Sequence, residues 1–534
     1  MATDGMSTRS YRALILDDDP EWLRMVGKTL RGSDFVIDEA ADLIEANVKI
    51  DEQNHHLLVL DISLTGANEN REWLDLLAKW NEERKTESMK VVVLSHFSNL
   101  ERMREAFRAY HVADVQEKQQ FDNSVFGGEM RKILKGLEFN PSLMVGWKHE
   151  GEAAEAAAHI KLGTTRVKKG TALHQRVMEE LDDLLCRLFY DAESIVVSTM
   201  PTGRSGAGII RVDPNYRDGP GSSTVVKFGD VANIEAEQEH YDAYVERRLN
   251  RKASILKRAR TRLLAGTCYL LLGADEFESY AAFYTRANPS NICRVIENLF
   301  LSTCANWYTH TNGTTMLDLA RVYRDLLGMS PENLTNSLRQ LSSVQGGETL
   351  KFQSLTTPVP IRNPIIAAQK SFMEHIYTCI THGDLNGGNI LVDPEGKTWL
   401  IDFLRTGEGH VLRDHAFLDL FTRCALLAAD EATLDERLLL EQALLQARKP
   451  NAAGMPVGTL HSDNAALQKA LQTSLFIRSL AAKHGRHRNS MEMPDYELAT
   501  MFYGTNMIRF YSLATVQKEH GLLAAGLLAE RLRL

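Results

Sequence analysis

A chain of 534 residues is too long for one hydrophobic core and predicts two or three domains. Apolar residues make up 44% and charged residues 25%, as in ordinary globular proteins, and a net charge of −9 gives no general attraction to nucleic acid or anionic membrane. The six scattered cysteines show no metal-ligand or CxxC spacing, and no apolar run reaches the length of a membrane span, so buried free thiols and a cytoplasmic location are expected.

The first 138 residues alternate apolar strands with helical stretches. Ala13–Leu16 ends in Asp17-Asp18-Asp19-Pro20, Leu57–Leu60 ends in Asp61, and Val91–Leu94 ends in Ser95. A short fourth strand, Val112–Val115, precedes Lys118, and helices are expected at Glu21–Leu30, Trp73–Trp80 and Leu100–Tyr110. This rhythm predicts a doubly wound parallel α/β sheet, whose site lies at the carboxyl ends of the strands. The polar residues all fall there. Clustered carboxylates can bind magnesium, an exposed Asp61 can accept a phosphoryl group, Lys118 can neutralise the added charge, and Ser95 can hydrogen-bond a phosphoryl oxygen. Acid clusters at strand ends can also be merely solvated, but the whole set together argues otherwise.

Residues 11 to 136 resemble two-component receiver domains, with a five-stranded sheet. The resemblance makes Asp17 and Asp18 the acidic metal pocket, Asp61 the phospho-acceptor and magnesium ligand, Ser95 the switch hydroxyl and Lys118 the charge-neutralising lysine. It also implies a cognate histidine kinase or other phosphodonor. The sequence departs from the pattern at Gln119, where receivers carry proline, at Val115, where they carry an aromatic switch residue, and at His96, where they carry a small one.

Residues 139–180, with Pro141, Gly146, Gly151 and the alanine-rich run Glu152–Ala158, are expected to form a helical linker. Residues 181–285 then offer strands at Ser194–Ser198, Ile209–Val212, Thr224–Lys227 and Cys268–Leu272. A glycine-rich turn with Gly203, Gly206 and Gly208 joins the first two, and Lys227 ends the third. Glu235, Glu237 and Glu239 share the following helix. The basic run from Arg247 to Arg262 is expected to be a solvated helix surface, with docking onto an acidic face of the receiver as the alternative.

Residues 286–534 are mainly helical, with helices expected at Ile292–Tyr308, Leu317–Leu327, Asn333–Leu341 and Ile365–Ile380. The last leads into His382-Gly383-Asp384-Leu385-Asn386-Gly387-Gly388-Asn389, followed by a short hairpin, Ile390–Val392 and Trp399–Ile401, that ends at Asp402. A carboxylate at Asp384 can orient an attacking hydroxyl. The Asn389 amide oxygen and the Asp402 carboxylate can hold magnesium. An ordinary acidic surface hairpin is the bland alternative, and three chemically interlocking positions weigh against it.

The HGDxxxxN…IDF pattern resembles the catalytic and metal-binding loops of the aminoglycoside-phosphotransferase and choline-kinase-like branch of the protein-kinase superfamily. The resemblance implies a two-lobed α+β fold with a large helical C-lobe at 286–534 and an N-lobe at 181–285. It also implies ATP and Mg2+ as cofactors. It assigns Gly203, Gly206 and Gly208 to the loop over the phosphates, Lys227 to the phosphates, and a helix glutamate to Lys227. Glu237 fits that role best, with Glu239 as alternate. His382 is expected to be structural, and Asp414 to tie back to the catalytic loop.

These expectations converge on a response-regulator-type protein with a kinase-fold phosphotransferase output controlled at Asp61. The rival is a non-catalytic signalling scaffold with a nucleotide-binding pseudokinase module; receiver and kinase-like fusions look similar to components of bacterial conflict or defence systems. The acceptor is open among a small-molecule hydroxyl, a protein side chain and a nucleotide, and no residue pattern indicates an oligomeric state.

Overall fold

In a computed structural model of the chain, the residues described are 9–61, 72–95, 112–158, 160–200, 206–249, 251–270, 277–309, 311–447, 459–485 and 493–534. They fall into two compact units, one of residues 1–235 and 254–272, the other of 236–253 and 273–534.

Among its described residues the first unit contains two large sheets and one short hairpin, Lys161–Leu162 with Thr165–Arg166. The amino-terminal one runs β1 (Tyr11–Leu16), α1 (Pro20–Arg31), β2 (Phe35–Ala40), α2 (Leu43–Glu52), β3 (Leu57–Asp61), α3 (Glu72–Glu82), β4 (Lys90–Ser95), β5 (Asp114–Glu117) and α4 (Phe126–Leu134). All neighbouring strands are parallel and the order is β2-β1-β3-β4-β5. This is the doubly wound order in which ligand sites form at the carboxyl strand ends. Both faces are covered, so β3 is buried at every position, as parallel strands are. Leu14, Leu16, Leu58 and Leu60 pack on one face with Trp80, and Ile15, Val59 and Val92 on the other with Phe126 and Met130. Pro20 opens α1 and the Asp19 carboxylate caps it, accepting from the Glu21 amide at 2.8 Å.

The sequence reading missed β2, because Val36 is exposed and Asp38 and Glu39 interrupt its apolar pattern. The fourth expected strand is displaced by two residues to Asp114–Glu117. Leu100–Tyr110 and His96 lie outside the described residues.

The second sheet is built from β6 (Met144–Trp147), β7 (Ser194–Thr199), β8 (Gly208–Tyr216), β9 (Thr224–Asp230), β10 (Ser254–Arg260) and β11 (Leu264–Leu270), in the order β10-β11-β9-β8-β7-β6. It is antiparallel except where β6 joins β7. Residues 139–180 are therefore not the helical linker expected from composition. Their alanine-rich helix α5 (Glu152–Ala158) exists, but β6 extends the sheet, and Phe139, Leu143, Ala156 and Ala157 enter its core beside helix α6 (Ala172–Leu188). A four-residue edge strand leaves too short a pattern to read. The basic run is likewise a correction: Ser254–Arg260 is a strand, not a helix. It pairs on one side with β11, so its arginines and lysines decorate a sheet edge.

The receiver-like sheet docks on this second sheet through the amino ends of its strands. His56, just before β3, is 4% exposed. Its Nδ1 accepts from the Arg12 amide at 3.0 Å and its Nε2–H donates to Asp183 of α6 at 2.8 Å. Arg187 pairs with the same carboxylate and donates to the Ser88 carbonyl at 3.0 Å. The His56 ring lies 4.2 Å from that of Phe139. The contact is thus hydrogen-bonded and aromatic, braced by an ion pair within α6.

The second unit holds helices α7 (Val231–His240, from Ala236 onward), α8 (Pro289–Asn298), α9 (Ala305–Thr309), α10 (Arg413–Leu420), α11 (Leu434–Gln446), α12 (Ala465–His484), α13 (Pro494–Asn506) and α14 (Thr515–Arg531). The expected helix over Ile365–Ile380 is a correction. Only Pro364–Ala367 is helical, and the β-branched Ile376, Thr378, Ile380 and Thr381 lie in strands Met373–Ile376 and Thr378–Thr381. The hairpin strands Ile390–Val392 and Thr398–Leu400 form as expected.

Burial lowers the pKa of His56, and the backbone N–H directed at Nδ1 leaves no room for a second ring proton. The His56 and Arg187 partners hold Asp183 well below the ordinary carboxylate range against the burial that opposes it. Both groups bind fewer protons folded than unfolded. The pair's contribution is therefore complete above about pH 6.5 and is lost as pH falls. Unfolding midpoints in urea should drop between pH 7 and pH 5, and drop less in His56→Gln. Asp183→Ala, which strands Arg187 in the interior, should cost about 3–5 kcal/mol at pH 7.

Candidate functional site

At the carboxyl ends of β1 and β3, carboxylate oxygens of Asp17, Asp18 and Asp61 lie within 4.8 Å of one another. Lys118 sits between two of them, its Nζ 2.6 Å from Asp17 and 3.0 Å from Asp61. Asp61 is not exposed, as expected from its strand-end position, but only 3% accessible. It closes a strand buried throughout and is drawn in by the lysine. Its Oδ1 has no hydrogen-bond partner among the described residues. Burial, and then repulsion from Asp61, raise the pKa of Asp17 despite Lys118. Three crowded carboxylates against one lysine, with one orphaned oxygen, fit a divalent cation with hard oxygen ligands. Ser95 ends β4 in the same row and is 2% exposed.

In the second unit, the loop from His382 to Asn389 is held by a carboxylate. Asp414, second residue of α10 and 1% exposed, accepts from the backbone amides of His382 at 2.7 Å and Gly383 at 2.9 Å. The Tyr308 hydroxyl donates to it at 2.8 Å. Gly383 has φ +82°, and a Cβ there would lie 1.6 Å from the Arg413 guanidinium and 2.3 Å from the Arg405 carbonyl, so only glycine fits. His382 is wholly buried; its Nε2–H donates to the Ile401 carbonyl at 3.0 Å, while Nδ1 faces the Asp384 amide at 3.4 Å. Both nitrogens are used by backbone, so the ring is a structural strut and not an acid or base.

Asn389 points its Nδ2 at the Asp384 carbonyl, 2.8 Å away, so its amide oxygen is not spent on that bond. Asp402 follows the hairpin in the left-handed region, φ +67°, a conformation that costs a non-glycine residue about 1–3 kcal/mol and clusters at functional sites. Next to it, the Phe403 amide donates to the Glu237 carboxylate at 3.2 Å, and His240 Nδ1–H donates to the Leu404 carbonyl at 2.8 Å. The end of α7 is therefore laced to the segment that carries Asp402.

Lys227 lies on β9, 8% exposed. Gly206 and Gly208 have packing reasons to be glycine, since a Cβ would lie 2.7 Å from Lys161 and 2.3 Å from the Phe228 ring, respectively. Gly203 falls outside the described residues. Tyr308 was missed by sequence reasoning: it lies 106 positions from Asp414, and no motif marks it. Also unforeseen was the buried Arg423, paired with Asp419 and Glu441, where leucine-rich core was expected.

A model of the family described as "Ternary complex associated domain 9" matches residues 336–503, the stretch that includes Asp384, Asn389, Asp402 and Asp414. The amino-terminal region is similar to response receivers of known structure. One is a response regulator from Thermotoga maritima, 20% identical over 24% of this chain and 99% of that one, with a TM-score of 0.21. Another is a CheY-like receiver domain protein from Methanospirillum hungatei, 22% identical over 24% and 94%, TM-score 0.21. CheY4 from Vibrio cholerae is 17% identical over 23% and 98%, TM-score 0.21. No curated protein matches the chain. Among the described residues, no helix is long and apolar enough to cross a membrane.

Asp414→Ala would leave two backbone amides and a tyrosine hydroxyl buried without an acceptor. At about 1–3 kcal/mol for each orphaned group, the loss should exceed about 3 kcal/mol in chemical denaturation, with Tyr308→Phe costing about 1 kcal/mol.

Proposed function

We propose that the chain is a response-regulator-type protein whose output is an ATP- and magnesium-dependent phosphotransferase. The observation that carries this reading is the clamp of Asp414 on His382 and Gly383, which fixes the loop bearing Asp384 and Asn389 in one shape. Catalysis of phosphoryl transfer is mostly positioning and charge neutralisation, and both need a loop that does not move. Asp384 orients the acceptor hydroxyl and takes its proton. The Asn389 amide oxygen and the Asp402 carboxylate supply hard oxygen ligands. A bound magnesium ion would neutralise charge on the transferring phosphoryl group. The kinase resemblance assigns Lys227 to the nucleotide phosphates and Glu237 to Lys227.

On the receiver side, a phosphodonor such as a histidine kinase delivers its phosphoryl group to Asp61, and Lys118 and Ser95 engage the new oxygens. The crowding of Asp17, Asp18 and Asp61 about one lysine supports this chemistry. A second reading takes its support from the family description at 336–503, which names association with a ternary complex. In it the chain is a scaffold within an assembly, and the same loop binds nucleotide without turnover.

Incubation with magnesium and ATP labelled on its terminal phosphate separates the two. The phosphotransferase reading predicts label on protein or as free phosphate, reduced at least 100-fold in both Asp384→Ala and Asp402→Asn. Nucleotide binding without any release of label, or full turnover in Asp402→Asn, would favour the scaffold.

A further inference from the structure

Four charged side chains close a ring within the first unit. Arg84 pairs with Glu87 at 2.7 Å and with Glu235 at 2.6 Å. Arg260 pairs with Glu87 at 3.0 Å and with Glu235 at 3.1 Å. Charges alternate around the ring, and each side chain touches two of opposite sign. Arg84 and Glu87 belong to the turn between α3 and β4 of the receiver-like sheet, Arg260 to β10, and Glu235 to α7. Isolated surface pairs contribute little, but a closed network with two members largely buried fixes geometry. Side-chain exposure is 16% for Arg260 and 18% for Glu235. Arg84 also holds a left-handed backbone, φ +56°, which an arginine adopts only at a cost. Glu237, whose carboxylate accepts from the Phe403 amide beside Asp402, lies two residues beyond Glu235 on the same helix.

We propose that the receiver positions the helix carrying Glu237 through this ring, with Arg84 as the positioning residue. The ring then ties α7, at Glu235, to the receiver-like sheet, and a change in the turn between α3 and β4 changes its hold on that helix. This rests on the proposed function for its purpose, but the hold itself is measurable without turnover.

The test is hydrogen exchange of the amides in 231–240, in the full chain. Inverting the receiver half alone, Arg84→Glu with Glu87→Arg, keeps the pair inside the receiver but sets like charge against like across the ring. Exchange in the helix should accelerate at least tenfold. Adding Glu235→Arg and Arg260→Glu restores alternation and should return exchange to within about twofold of the native chain. The milder Arg84→Ala should accelerate it about threefold and guards against a misfolded inversion. Unchanged exchange in Arg84→Ala and in the half inversion would overturn the proposal, as would a folded fourfold inversion that exchanges as fast as the half inversion. A responsive helix in a protein that never turns over ATP would count against the phosphotransferase reading alone.

Discussion

The Asp414 carboxylate is the constraint on which the shape of the loop from His382 to Asn389 depends. A loop of the composition His-Gly-Asp-Leu-Asn-Gly-Gly-Asn buries His382 and Leu385 but carries three glycines to loosen it. Its shape comes from outside. One buried carboxylate collects two consecutive backbone amides and the Tyr308 hydroxyl, and the His382 ring ties the same loop to Ile401 in the segment before Asp402. The loop with Asn389 and the segment with Asp402 are thereby referred to a single frame. Buried acceptors of this kind are strong because each donor would otherwise be left unsatisfied in a site without water.

The receiver-like sheet is attached by the opposite principle: many contacts gathered at one end of its strands. Arg9, Arg12, His56, Arg84, Glu87 and Ser88 all lie at or before the amino ends of β1, β3 and β4, and pair with α6, α7 or β10 or brace the residues that do. Asp17, Asp61 and Ser95 end those same strands. At about 3.3 Å per residue, a five-residue strand separates docking surface and carboxylate cluster by about 15 Å. The cluster is thus turned away from the second sheet of its own unit.

Much of this was legible in the sequence, for identifiable reasons. Strands such as Leu57–Leu60 and Val91–Leu94 are continuous apolar runs ending in chemistry, which is the mark of a parallel sheet buried on both faces. The loop from His382 to Asn389 and the hairpin after it stood out because charged and amide side chains recur there at fixed spacing beside short apolar runs. What escaped was set by partners distant in the chain. β2 is an edge strand with a polar interior, β6 is four residues long, and Ile365–Ile380 reads as a helix until its β-branched half finds strand partners at Thr315–Asp318 and Gly407–His410. Arg260 and Arg262 looked like solvated charge, yet they meet Glu87 and Asp51 of the receiver-like sheet. Docking, the alternative reading of that basic run, is what these two residues do.

The measurement that bears most directly on receiver control of a phosphotransferase is the initial rate of phosphoryl transfer from ATP with and without beryllofluoride, in the native chain and in Asp61→Asn. The account predicts a rate that changes severalfold on adding beryllofluoride to the native chain and does not change in Asp61→Asn. A native rate indifferent to beryllofluoride, with the adduct on Asp61 verified by fluorine resonance, would contradict it.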